Sequence, residues 1–223
     1  VVVNSFYRAF PELTVSAEVY NFNMKSIFSR RSIVNLAADA SRRVLSIPAF
    51  PKTSAPEIYF VKLSLQDRAG KTISSNFYWL SGVPPAFAWN WTTVQRTEMY
   101  SYEDLTMLAR LPRVKLEATA SHGAAAGGPE VSVQLRNPST HLAFQVRLAV
   151  TEKGGNEILP VFWSDNYFEL LPGETKTLTA RYPAGTKLAE GVKLEVGGWN
   201  IEPVTLAVLP SHIEAAKPAK VIR

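Results

Sequence analysis

The sequence predicts an all-β fold, two β-sandwiches joined by a short helical connector, and three observations carry that prediction. Apolar and polar residues alternate with period two through most of the chain, as strands with one buried face require. Tight-turn residues separate neighbouring β-rich runs with no long helical pattern between them, the signature of a sandwich. One break in the alternation, from Ser81-Gly82-Val83-Pro84-Pro85 to Pro112, divides the chain near its middle.

The elements follow in order. Val1-Val2-Val3-Asn4 opens as a short strand, and Leu13, Val15, Ala17 and Val19 alternate with Thr14, Ser16, Glu18 and Tyr20. An Asn21–Asn23 turn leads to Ser26–Arg31 as the hairpin partner. Arg43–Ile47 reads as a further strand stopped by Pro48. Ile58–Gln66 and Lys71–Leu80 flank Asp67-Arg68-Ala69-Gly70, a tight-turn signal. In the central break, Ser101 to Leu111 predicts a helix with Ser101 as N-cap, a Leu105, Leu108, Leu111 stripe and Pro112 as its stop. Alternation resumes at Val114, Leu116, Ala118 and Ala120, and the Gly- and Ala-rich Ser121–Pro129 reads as a loop. Val131–Leu135, Phe144–Val150, Ile158–Trp163, Thr175–Tyr182 and Val192–Val196 complete the second set. The expected boundaries are 1–88, a connector at 89–112, 113–209, and a frayed tail at 210–223. The two modules look related, since Asn4-Ser5 and Asn137-Pro138-Ser139 each close a short apolar strand and precede a loop, an alternating strand and a hairpin.

Composition removes several function classes. The 223 residues are 46% hydrophobic and 19% charged, enough to build cores. Apolar runs are far shorter than the ~20 residues of a membrane span. The formal charge of +5 is scattered, its longest basic runs being the pairs Arg30-Arg31 and Arg42-Arg43, so no stripe for nucleic acid forms. With no cysteine, disulfides and thiolate zinc sites are excluded. A chain that opens mid-strand without methionine reads as a fragment or processed product.

Side-chain chemistry is sparse. His122, His141 and His212 are unpaired at metal-ligand spacing, no Gly-x-Ser-x-Gly elbow occurs, and no glycine loop precedes a helix. These residues call for no metal and no cofactor. Glycoside hydrolysis needs two carboxylates facing across a bond. Glu103-Asp104 point apart on the expected helix, Asp165 suits a strand-edge bend, and Glu169 suits a polar face. The tryptophans at 79, 89, 91, 163 and 199 offer either sugar-stacking platforms or core and junction packing. Asn90-Trp91-Thr92 fits a glycosylation triplet; Asn137-Pro138-Ser139 is barred by its proline.

Trp163-Ser164-Asp165-Asn166-Tyr167-Phe168-Glu169-Leu170-Leu171-Pro172-Gly173-Glu174 resembles a segment of the C-terminal domains of glycoside hydrolase family 2, in the exo-β-D-glucosaminidase and β-mannosidase branch. Asn76–Ser81, Ser101–Thr106 and Gly198-Trp199-Asn200 resemble, in order, the end of the preceding immunoglobulin-like domain, the short connector helix and the closing strand of those enzymes. The resemblance implies two immunoglobulin-like β-sandwich domains, non-catalytic by themselves. Their partner would be the upstream catalytic barrel of the same polypeptide, which holds the paired glutamates of a retaining mechanism. The chain has no alternating strand–helix barrel pattern, so no catalytic residue carries over. Trp163, Ser164, Asp165, Asn166, Tyr167, Phe168, Pro172, Gly173 and Glu174 form the structural motif, with Trp163, Asn166 and Tyr167 as candidate carbohydrate contacts. Partners other than carbohydrate and the barrel, namely nucleic acid and membrane, are not expected. The resemblance also implies a secreted or periplasmic location, and an independent carbohydrate-binding module is the alternative.

Overall fold

A computed structural model describes residues 1–49, 57–83, 85–88, 98–125, 128–186, 188 and 191–209. It is all-β, and it divides into two compact units, Val1–Leu111 and Pro112–Arg223.

In the first unit, β1 (Val2–Asn4), β2 (Phe10–Asn21), β3 (Ser26–Leu36), β4 (Ala40–Arg42), β5 (Ile58–Gln66) and β6 (Thr72–Ser81) form two sheets. One is four-stranded in the order β3-β2-β5-β6, and the other pairs β1 with β4. Turn chemistry sets the hairpin registers. Asn21 Oδ1 accepts from the backbone N–H of Asn23 and Lys25 at the β2–β3 turn, and Asp67 Oδ1 accepts from Lys71 N at the β5–β6 turn. Leu13, Val34 and Leu36 pack with Val2 of β1 and with Val44, while Val19, Tyr59 and Val61 pack with Phe28 and Ile47. The expected strand at Arg43–Ile47 is not formed. The pairing with β1 ends at Arg42, and the chain beyond it packs Val44 and Ile47 against the core without joining a sheet.

After β6 in the chain come β7 (Ala86–Ala88) and β8 (Glu98–Ser101), paired with each other. The expected connector helix over Ser101–Leu111 is absent as an α-helix. Ser101 ends a strand, and only a five-residue 3-10 helix, Thr106–Arg110, follows. Asp104 Oδ1 captures both Thr106 N and Thr106 Oγ1, a side-chain turn that starts the helix late. Pro112 then ends it before an α-helical turn can propagate.

The second unit is a closed two-sheet structure. β9 (Glu117–Ala125), β10 (Gly128–Arg136), β11 (Ala143–Thr151), β12 (Phe162–Trp163), β13 (Phe168–Leu170), β14 (Thr175–Arg181), β15 (Lys193–Gly197) and β16 (Val204–Ala207) make sheets ordered β12-β14-β10-β9 and β13-β11-β15-β16. Val131, Val133, Leu135, Leu178 and Ala180 of the first sheet face Val146, Leu148, Val150, Leu170, Leu194 and Val196 of the second across one core. This is the period-two alternation at work. The expected loop at Ser121–Pro129 is instead mostly paired, β9 running to Ala125 and β10 starting at Gly128, because the ladder is made by backbone groups and the edge of β10 supplies partners despite the weak strand preference of Gly and Ala. The expected strand at Ile158–Trp163 shrinks to two residues after a cis Leu159–Pro160 bond. β16 had no alternation signal long enough to predict it.

Two buried asparagines sit at equivalent corners. Asn4 Nδ2 donates to Arg8 O and Ala37 O, four and 33 residues ahead, and its Oδ1 accepts from Phe6 N. Asn137 Nδ2 donates to His141 O and Leu170 O, again four and 33 ahead, and its Oδ1 accepts from Ser139 N. Eight residues past each asparagine stands a residue with left-handed backbone, Glu12 (φ 51°) and Gln145 (φ 52°), where β2 and β11 bulge. The related modules expected from Asn4 and Asn137 are thus related in geometry. Replacing Asn137 by alanine strands two carbonyls in or near the core, so Asn137→Ala lowers unfolding stability by roughly 2–3 kcal/mol, and Ser139→Ala by less than about 1 kcal/mol. Urea titrations followed by tryptophan fluorescence check the order; equal losses would contradict it.

Candidate functional site

The motif at 163–174 is the crossover between the two sheets of the second unit: β12 pairs with β14 in one, β13 with β11 in the other. Its polar residues are committed to holding that crossing. Ser164 N donates to Thr179 O, and Thr179 N donates to Ser164 Oγ. Asp165 pairs with Lys176, whose ammonium also lies 4.3 Å from the centre of the Phe168 ring. Asn166 offers Leu148 what a neighbouring strand would: Leu148 N donates to its Oδ1 at 2.9 Å and its Nδ2 donates to Leu148 O at 3.0 Å. Tyr167, at φ 58°, then turns the backbone back into the ladder, and Phe168 and Leu170 enter the core. At the far end, Glu174 Oε2 accepts from Leu171 N, Gly173 adopts φ 75°, and Gly173 N donates to Asn137 O. The motif therefore closes on the buried Asn137 corner.

The three expected carbohydrate contacts separate in this geometry. Trp163 packs against the core, its buried Nε1 without a hydrogen-bond partner. The Asn166 amide is used up on Leu148. Tyr167 is 58% exposed, and its hydroxyl accepts from Arg147 Nε, while Arg147 Nη2 donates to Glu157 at 2.7 Å. Of the other tryptophans, Trp199 is largely exposed and meets Phe144 edge-on, and Trp89, Trp91 and the Asn90 triplet lie outside the described residues. Among the described residues no group of three His, Asp or Glu side chains could hold a metal.

Gly198-Trp199-Asn200 is a bend following β15 rather than a closing strand. A Cβ on Gly198 would stand 2.6 Å from Gln145 O, so only glycine admits the bulged β11 there. Asn200 is buried. Its Nδ2 donates to Pro112 O and Leu142 O, and its Oδ1 accepts from Phe144 N. Sequence reasoning passed over Asn200 and Gln145; the Gly-Trp-Asn triplet marked the place without revealing the clamp.

Two family models match the chain. Residues 1–83 match the mannosidase Ig/CBM-like domain, and residues 91–201 match the exo-β-D-glucosaminidase Ig-fold domain. The chain belongs to the immunoglobulin-like domains of glycoside hydrolase family 2, in the exo-β-D-glucosaminidase branch. It is 33% identical to the exo-β-D-glucosaminidase of Amycolatopsis orientalis, over 90% of this chain and 20% of that protein. It is 32% identical to that of Arthroderma benhamiae, over 85% of this chain and 20% of that one. The crystal structure of the Amycolatopsis orientalis exo-chitosanase CsxA superposes with a TM-score of 0.79 at 31% identity, covering 93% of this chain and 25% of that chain. The chain thus spans about a fifth of the length of the relatives it matches.

One titrating group stands out at the crossover. Burial pushes the Glu169 carboxyl up to about 7, with Asp165 adding to the rise and the Gln145 amide and Lys176 opposing it. A carboxyl raised on folding binds its proton more tightly in the native state. Its stabilising contribution is therefore whole below the unfolded value of 4.5 and is lost as pH rises to about 7. Glu169→Gln should match the parent chain's stability at about pH 4, below the unfolded value. It should exceed it at pH 8 by on the order of 1–2 kcal/mol once solvent screening is allowed for. Urea midpoints across that range decide; a constant difference would contradict the assignment.

Proposed function

We propose that this chain is a non-catalytic accessory portion of a retaining family 2 glycosidase, an exo-β-D-glucosaminidase that degrades chitosan oligosaccharides. Both units serve as immunoglobulin-like sandwiches, with residues 89–112 as the chain that connects them, and together they buttress a catalytic barrel elsewhere in the same polypeptide. The observation that carries this reading is coverage: the relatives align along 85–92% of this chain yet most of each relative lies outside the match. The chemistry of the crossover agrees, because a motif whose polar atoms are spent on backbone groups is built to brace. A secreted or periplasmic location belongs to the same proposal.

A second reading, carbohydrate binding, is favoured by Tyr167, which is exposed beside the Arg147–Glu157 pair. Aromatic faces with adjacent polar groups stack on sugar rings. The same domains serving a β-mannosidase is the variant that the match of residues 1–83 favours.

The chain alone should release no product from p-nitrophenyl β-D-glucosaminide or from the β-mannoside; turnover by it would overturn the accessory role. In titrations with chitosan oligomers, an unchanged tryptophan emission at millimolar sugar is expected, and a saturable shift that Tyr167→Ala abolishes would favour the second reading.

A further inference from the structure

We infer that the free edge of β1 takes one more antiparallel strand, supplied by the stretch of the same polypeptide directly preceding Val1. The inference rests on the reading of this chain as part of a longer one, and its ground is a strand-by-strand comparison of the two units. In the first, β1 pairs with β4, β2 with β3 and β5, and β5 with β6. In the second, β10 pairs with β14, β11 with β13 and β15, and β15 with β16. Each of these four pairings among β1–β6 has its counterpart, only the β7–β8 pair of the described residues standing outside the match, and the buried Asn4 and Asn137, with identical bonding offsets, fix the alignment. Two strands of the second unit have none: β12, a two-residue strand, and β9, a nine-residue strand.

β9 has a definite task. It lies along the whole of β10, from Gly128↔Ala125 to Arg136↔Glu117, on the edge away from β14. It then reaches the far end of the other sheet: His122 N donates to Leu209 O and Leu209 N donates to Ala120 O, just past β16. One strand thus closes the side of the sandwich between β10 and β16.

On the same side of the first unit, no strand among the described residues pairs with the outer edge of β1. Aligning Asn4 with Asn137 places Val2 and Val3 on Leu135 and Arg136, the last residues of β10, so β1 is the end of a longer strand position. Val2 points into the core as Leu135 does. Val1 and Val3 are 82% and 70% exposed. Two cavities, of about 340 and 330 Å³, lie between β1 and the β5–β6 edge. Val3 and Ser74 line both; Val1, Leu45 and Leu63 line the first and Ile73 the second. They occupy the place that β9 fills in the second unit. An apolar strand edge that the described residues leave unpaired, beside cavities in the adjoining core, is a template for strand addition. The occupant that fits is an extended segment whose alternate residues are small and apolar, as Ala118 and Ala120 are in β9. In the second unit that segment comes immediately before its partner, β9 ending at Ala125 and β10 starting at Gly128. Chain order therefore selects the residues before Val1 over a second copy or another protein.

The test compares the 223-residue chain with one extended by the roughly twenty natural residues encoded upstream, enough for a strand and its turn. Amide hydrogen exchange is read at Val2–Asn4, and melting is followed for both. The extension should slow exchange there by roughly tenfold or more and raise the melting temperature. A proline at the centre of the added stretch should cancel both gains. Unchanged exchange in the extended chain would overturn the inference, as would a reading frame that starts at Val1. So would protection already present in the shorter chain that disappears on dilution, with light scattering reporting a dimer, or on removal of residues 210–223. Failure of the accessory role shows elsewhere: sugar turnover by this chain would end that reading without moving these exchange rates.

Discussion

Each unit depends on a buried side-chain amide doing what backbone does elsewhere in a sheet. Where a strand ends and the chain must change sheets, its carbonyls lose their ladder partners while still shielded from water, and a buried unpaired carbonyl costs on the order of 1–3 kcal/mol. Asn137 answers this with two donated and two accepted hydrogen bonds, drawing together the corner after β10 and the end of β13. Asn4, with two donated and one accepted, bridges β1 and the end of β3 in the same way. Asparagine suits this position because its short amide carries donor and acceptor at backbone-like spacing.

Around Asn137 the second unit is assembled from the same device. Asn166 substitutes for a strand residue opposite Leu148, and Asn200 ties Pro112 and Leu142 to the bulge at Phe144. The bulge at Gln145 and the glycine at 198 are one feature seen from two strands, since the close approach of Gln145 O to Gly198 leaves no room for a side chain. The residues that resemble family 2 enzymes most closely are therefore those that fix how the chain crosses between sheets. In the stretch 163–174 the polar side chains Ser164, Asn166 and Glu174 bond backbone groups, while Phe168 and Leu170 enter the core.

Period-two alternation made three of the long strands legible, because each turns alternate residues to a core: Leu13 to Val19, Val131 to Leu135 and Phe144 to Val150. β5 was legible as a β-rich run, and its first four residues, Ile58 to Val61, are buried on both faces. The Asn21 and Asp67 turns were legible through side chains that bond their own backbone. Short or small-residue pairings were not. β4, β9 beyond Ser121 and β16 owe their pairing to the edge beside them, a tertiary property with no local signal. The connector failed as a helix because five residues and a side-chain turn at Asp104 leave too little chain for α-helical nucleation. At the motif, residue types alone could not separate Asn166, whose amide is enclosed, from Tyr167, which is exposed; both have the chemistry of sugar contacts.

The most direct measurement of the amide corner is hydrogen exchange of the side-chain NH2 groups of Asn4 and Asn137, followed by NMR in the native chain. If these amides hold their corners, their protons should exchange only when the surrounding unit opens, as slowly as the backbone amides of β2 and β11. Exchange at the rate of exposed asparagines such as Asn23, with the core strands still protected, would contradict the account.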